Sequence, residues 1–93
     1  MFYKEFNRNQ AEIYIVEHPT HVILRPSTYT KIYPMILAVS YMYKEAVQHS
    51  LVYKSDINIF YSVITDDKNI PICSIYIGSQ IELELSLKKL INM

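Results

Sequence analysis

Glycine is almost missing from this chain: Gly78 is the only one in 93 residues. A phosphate-cradling loop needs several glycines so that the backbone can approach the ligand closely. The composition therefore speaks against a mononucleotide or dinucleotide enzyme. Cysteine is equally scarce. Cys73 stands alone, so no internal disulfide can staple the fold, which suits a reducing, intracellular setting. Net charge is absent too, with nine basic and nine acidic residues. The basic residues are scattered, so no patch offers the counterion release that drives nucleic-acid binding. Near-zero charge also fails to keep copies apart, which favours self-association. Long apolar runs are missing. The longest, "PMILAV", is far short of a membrane span, and the polar start "MFYKEFNRNQ" does not read as a signal peptide. A cytoplasmic protein with no membrane partner is expected.

What remains is a globular composition, 51% apolar and 19% charged. A chain of this length buries roughly 60–65% of its unfolded surface, enough for one thin core and a single domain over residues 1–93. It is rich in Ile, Tyr and Lys and poor in Gly, Ala and Trp. That bias is associated with AT-rich genomes and small phage or mobile-element genes, in which case the compartment is the host cytoplasm.

Residues 12–25, "EIYIVEHPTHVILR", carry two β-branched runs around Pro19 and read as a hairpin. Residues 34–50 read as the main helix. Pro34 suits its first position, and Met35, Ile36, Val39, Met42, Tyr43, Ala46 and Val47 fall on one arc about 140° wide. Leu37 and Tyr41 fall on the opposite, polar face, one turn apart, as a small candidate contact patch. "INIFYSVIT" (57–65) and "IPICSIYI" (70–77) read as strands around the turn "DDKN".

The segment "SQIELELSLKKL" allows two readings. Ile81, Leu83, Leu85 and Leu87 alternate with polar residues as in a half-buried strand, and Gly78-Ser79 fits a hairpin turn. Ser79 and Glu82 also form a capping-box pattern that would open a helix. A helix turns Ile81 and Leu85 away from the apolar face, so the strand is preferred. The tail "SLKKLINM" then closes as a short helix capped by Ser86. The expected fold is α+β: an antiparallel sheet of four to five strands in β-β-α-β-β-β order, packed on one long helix (about 34–50), with a short C-terminal helix.

Tyr76-Ile77-Gly78 ends the second of these strands with "YIG", and Ile59-Phe60-Tyr61 stands one strand earlier. Residues 59–78 resemble the two halves of the GIY-YIG nuclease motif, which implies strand, turn, strand and then helix. Ile59 occupies the place of the first glycine, and the link "SVITDDKNIPICS" is longer than usual for the family. No arginine follows Gly78 to stabilise the transferring phosphate. With those parts missing, the stretch reads as a strand ending at a glycine turn, and nuclease activity is not expected.

Other candidates have plainer explanations. Glu17, His18 and His21 give E-H-x-x-H, but the histidines flank a proline turn and lack a placed third ligand such as Glu12 or His49. His49 is expected near a helix C-terminus, where its protonated form suits the dipole. Cys73 lies among apolar residues with no base beside it. Asp66-Asp67 are turn formers. Glu82 and Glu84 share a face if their segment is a strand, and could form an acidic stripe for a basic partner.

No catalytic set, metal site or cofactor site is assembled by these patterns. Nine tyrosines offer rigid contact area with a polar tip, which suits interfaces. The expected function is non-enzymatic protein–protein interaction, as in a phage or mobile-element inhibitor of a larger host (defence) complex. Leu37, Tyr41, Glu82 and Glu84 are the candidate partner-binding residues. A single-stranded nucleic-acid-binding module using sheet tyrosines is the alternative. A structural homodimer subunit is the third reading, and an enzyme using His18, His21 and Asp67 ranks below these.

Overall fold

The computed structural model describes residues 1–91. The elements are β1 (Phe2–Tyr3), α1 (Arg8–Glu17), β2 (Ile23–Pro26), β3 (Ile36–Tyr43), β4 (Ala46–Lys54), β5 (Phe60–Thr65), β6 (Pro71–Gly78) and α2 (Gln80–Ile91). All six strands form one sheet in chain order. β1 runs parallel to β2, and every other neighbour is antiparallel. The α+β class stands, with a mixed sheet and two helices. The expected β-β-α-β-β-β order does not.

The register shows how the faces divide. Leu24, Val39 and Ser50 align on one face, and Ile23, Ser40 and His49 on the other. α2 covers the first face. Leu83 and Leu87, one turn apart, pack there with Val22, Leu24, Leu37, Val39, Tyr41, Val52 and Phe60. α1 covers the second face, where Glu12 reaches His49 and where Ala11 and Ile15 are fully buried. Helices thus sandwich the central strands.

That sandwich explains why residues 34–50 are not a helix. From Ile36 to Tyr41 every residue is buried. A strand covered on both faces reads as an unbroken apolar run, and such a run also populates a helical arc. The reversal is the two-residue loop Lys44-Glu45, closed by the pair Tyr43 and Ala46. Both loop residues have positive φ, 49° and 65°, as a type I′ hairpin requires. Lys and Glu are poor residues for that conformation, so the sequence carries no turn signal there.

The first expected strand, Ile13–Val16, lies in α1. Its start is a capping box: the Asn7 side chain accepts from the Gln10 backbone N–H, and the Gln10 side chain accepts from the Asn7 N–H. This local closure outweighs the β-branched run. His18 ends the helix, and Pro19 follows it.

The segment after Gly78 is the helix α2, correcting the preferred strand. The Glu82 backbone N–H donates to Ser79 Oγ at 3.4 Å, and the Leu83 N–H to the Ser79 carbonyl at 3.0 Å. Ile81 and Leu85 do face solvent. Capping and the burial of Leu83 and Leu87 outweigh leaving those two side chains wet. Ser86 is an interior helical residue, its hydroxyl bonded to the Glu82 carbonyl. The end of the expected tail helix, Asn92 and Met93, lies outside the described residues. Gly78 has φ 131°, a conformation open to glycine alone, and turns the chain from β6 into α2.

Candidate functional site

Leu37 and Tyr41 are not an exposed patch. Both lie on β3 with their side chains under α2, each 8% exposed. Their role as surface contacts rested on a helix that does not form. Glu82 and Glu84 lie in the first turns of α2, where residues two apart point to different sides, so they make no stripe. Glu82 Oε1 accepts from the Ser79 hydroxyl. Glu84 takes the N-terminal ammonium at 2.6 Å and Lys88 at 3.4 Å. The ammonium beside it holds the Glu84 carboxyl below its ordinary value.

Large apolar side chains are open at several places, Ile13, Val16, Ile32, Ile57 and Ile81 among them, and on one sheet edge they follow one another along the β5–β6 hairpin. β6 is the sheet edge, and neither helix reaches its beginning. Ile72, Ile75 and Tyr76 are 62%, 56% and 62% exposed, with Ile64, Ile70 and Cys73 also open. Residues 69–81 contain no charge. An edge strand of this kind is a template for further pairing, which proteins ordinarily blunt with lysine or proline. Pro71 and a register shift at Ile64/Thr65 blunt the turn end, a second shift at Phe60/Tyr61 lies near Gly78, and the stretch Cys73–Tyr76 between them pairs regularly. Tyr53, Tyr61 and Tyr76 form a cross-strand row on the α1 face of the sheet, beyond the part that the helix covers, with ring centroids 5.9 and 5.8 Å apart. The Tyr61–Tyr76 pair is the one in the nuclease resemblance. Here it belongs to a three-strand aromatic row with no arginine in it.

A polar network occupies the α1 face. Arg25, 7% exposed, donates from Nε to Ser40 Oγ at 2.9 Å, from Nη1 to the Pro26 carbonyl at 3.1 Å, and from Nη2 toward His49 Nδ1 at 3.1 Å. Ser40 Oγ lies 2.8 Å from His49 Nδ1, and His49 Nε2 lies 2.9 Å from Glu12 Oε1. Arg8 Nε reaches the same carboxylate oxygen at 3.3 Å. The proton positions follow from the partners. A carboxylate only accepts, so His49 Nε2 carries the hydrogen; guanidinium only donates, so Nδ1 accepts. Burial, with Arg25 and Arg8 nearby, lowers the His49 pKa against the opposing pull of Glu12. Glu12 itself is held below its ordinary value by His49 and Arg8.

Hydroxyl, imidazole and carboxylate in a line resemble a nucleophilic relay. Ser40 has no exposed surface, however, and its Oγ already accepts the Arg25 Nε hydrogen. The line holds Arg25 in place. Beside it opens a cleft of ≈ 650 Å³ between the start of α1, the loop after β2 and the middle of β4. Sequence reasoning missed this group because His49 was read as a helix-end residue. Its partners stand as far as 37 positions away, and only the sheet register joins them.

His18 and His21 do come together, with stacked rings 5.0 Å apart. Their neighbours are aromatic: Tyr14 stacks on His18 at 4.3 Å, and its hydroxyl meets His21 Nδ1 at 2.8 Å. Glu12 and His49 pair with each other rather than completing that pair. Among the described residues no three His, Cys, Asp or Glu side chains group as metal ligands. No helix among them is long and apolar enough to cross a membrane. Searches against family models, curated proteins and solved structures found no match for the chain.

Proposed function

We propose that this protein is a non-enzymatic binding module whose β6 edge accepts an extended segment of another polypeptide as a seventh strand. One observation carries the reading: an uncharged, mostly exposed edge strand flanked by open Ile and Tyr side chains. Strand addition derives affinity from main-chain hydrogen bonds and specificity from alternate side chains. A small protein acting this way works by occupying its partner, the mode of an inhibitor of a larger complex. A second copy is the simplest partner, because a strand without charge meets no repulsion from itself.

The test compares the wild type with the double variant Ile72→Lys, Ile75→Lys. Both positions are exposed, so unfolding curves should agree within about 0.5 kcal/mol. Solution mass by light scattering should rise with concentration for the wild type, or lysate pull-down should retain a specific protein, and the variant should lose either behaviour. A wild type that stays monomeric and retains nothing would rule the reading out.

The tyrosine row supports a second reading, single-stranded nucleic acid stacked on Tyr53, Tyr61 and Tyr76. Stacking contributes about 1–3 kcal/mol per base, so Tyr76→Ala should weaken oligonucleotide binding roughly tenfold in a low-salt gel shift. No shift with the wild type removes this reading.

A further inference from the structure

Arg25 is a buried cation with no carboxylate on it. Each of its nitrogens makes one bond, to Ser40 Oγ, the Pro26 carbonyl and His49 Nδ1. A guanidinium has five N–H donors. Among the described residues, one hydrogen on Nη1 and one on Nη2 therefore have no protein acceptor. The charges acting on Arg25 are Arg8 and Glu12. Both arginines depend on that single carboxylate: Arg8 touches it at 3.3 Å, and Arg25 meets it only through neutral His49. Within this hydrogen-bonded group Arg8 and Arg25 face the one Glu12 carboxylate, and Arg25 has no carboxylate bonded to it. Glu5, on the cleft wall, accepts from the Tyr3 hydroxyl at 2.9 Å and bonds neither arginine; its carboxylate stays in the cleft, and a bound anion lies on the Arg25 side, away from it.

A buried charge is stable only where its donors are satisfied and an opposite charge is near. Arg25, Arg8 and His49 all line the ≈ 650 Å³ cleft, together with apolar Phe6, Pro26 and Leu51. That volume falls within the roughly 300–1,000 Å³ of small-molecule sites, and the lining joins an apolar strip to polar side chains that can anchor a charged ligand. We propose that the cleft binds a small organic anion, a carboxylate or a phosphate monoester with an apolar body. Its oxygens take the two remaining Arg25 N–H donors, and its body lies along the wall of Phe6, Pro26 and Leu51. Oxyanions of either kind match the paired donors of a guanidinium, and Arg8 at the rim adds attraction from solvent. The cleft is separate from the β6 edge: it needs no partner chain and stands if strand addition fails.

The experiment is a titration of the full-length protein followed by two-dimensional amide and Arg side-chain NMR. The probes are benzoate and phenyl phosphate, with sodium chloride at matched ionic strength as the control. Saturable shifts at Arg25, Arg8 and His49 with one or both organic anions support the site, and the stronger probe identifies carboxylate or phosphate. Arg25→Lys keeps a charge but loses the planar fork, and should weaken binding about tenfold or more. Arg8→Gln changes an exposed side chain and leaves the fold intact. It should weaken binding a few-fold, with less dependence on salt. If Arg25→Lys does not fold, Arg8→Gln and the chloride control decide. No saturable shift up to about 10 mM probe overturns the proposal. Equal shifts from chloride, or affinity unchanged in Arg8→Gln together with a folded Arg25→Lys, overturn it too.

Discussion

At the scale of single residues, His49 is the group whose state the structure constrains most tightly. Its Nδ1 faces donors from Arg25 and Ser40, so a proton there would meet two hydrogens already in place. Burial and the charges of Arg25 and Arg8 lower its pKa, while Glu12 on Nε2 opposes them. The linkage has a definite sign. Unfolded histidine takes its proton near pH 6.5 and the folded one resists, so below that pH the unfolded state binds more protons. The stability contribution is complete above the unfolded value and is lost as pH falls from there to the folded value. The slope for one proton is at most about 1.4 kcal/mol per pH unit. Glu12 and Glu84, both lowered, add losses in a window below 4.5. Denaturant unfolding of wild type and His49→Gln between pH 7 and 5 should show a steeper decline for the wild type. Equal slopes would mean that His49 titrates alike in both states. This residue was visible in the sequence, but its surroundings were not. Glu12, Arg25, Ser40 and His49 share no local spacing, and they meet only because Ser40 pairs with both Ile23 and His49 across the sheet.

At the scale of elements, the β3–β4 hairpin holds a correctable cost. Lys44 and Glu45 both take positive φ, where a side chain costs roughly 1–2 kcal/mol per residue. Replacing them by Asn-Gly, the pair that suits a type I′ turn, should stabilise the protein by about 1–2 kcal/mol. For a domain of this size that corresponds to a Tm gain of roughly 4–15 °C by calorimetry. A Tm that is unchanged or lower would show that the turn is not strained. The same turn accounts for the largest misreading. Without Gly, Asn or Asp at 44–45, nothing in the sequence interrupts residues 34–50, and an apolar run buried on both faces mimics a helix. β5, β6 and their turn were legible because the Asp66 side chain accepts from Lys68 and Ile70, as Asp in a turn ordinarily does. α2 was announced by the capping-box pattern at Ser79, whereas the Asn7–Gln10 box that opens α1 was not singled out in the sequence. The β-branched run 13–16 reads as a strand without it, and the Ser79 signal is outweighed by perfect alternation, since neither pattern carries information about what packs on it.

At the scale of the whole molecule, protection is unequal across the sheet. β3 lies between α1 and α2, and its side chains are buried on both faces. β6 is tied at one end, where Gly78 turns into α2, and at the other by the hydrogen bonds of the 66–70 turn and by the Tyr29 hydroxyl, which donates to the Asn69 carbonyl. Strands with few buried contacts open without global unfolding. Native-state amide exchange should therefore find β3 and β4 opening only with the whole molecule. The stretch from Ile72 to Ile75 should exchange about tenfold to a hundredfold faster. Equal protection in β6 and β3 would remove the physical basis for an available edge. If strand addition is the function, a bound partner supplies acceptors for the outward β6 amides and slows their exchange toward that of β3. An anion in the Arg25 cleft would protect the α1–β4 side and the turn at Asn69, which lines the cleft with Tyr29, while the outward amides from Ile72 to Ile75 gain no acceptor; one exchange map measured under three conditions therefore separates the two surfaces at Ile72–Ile75.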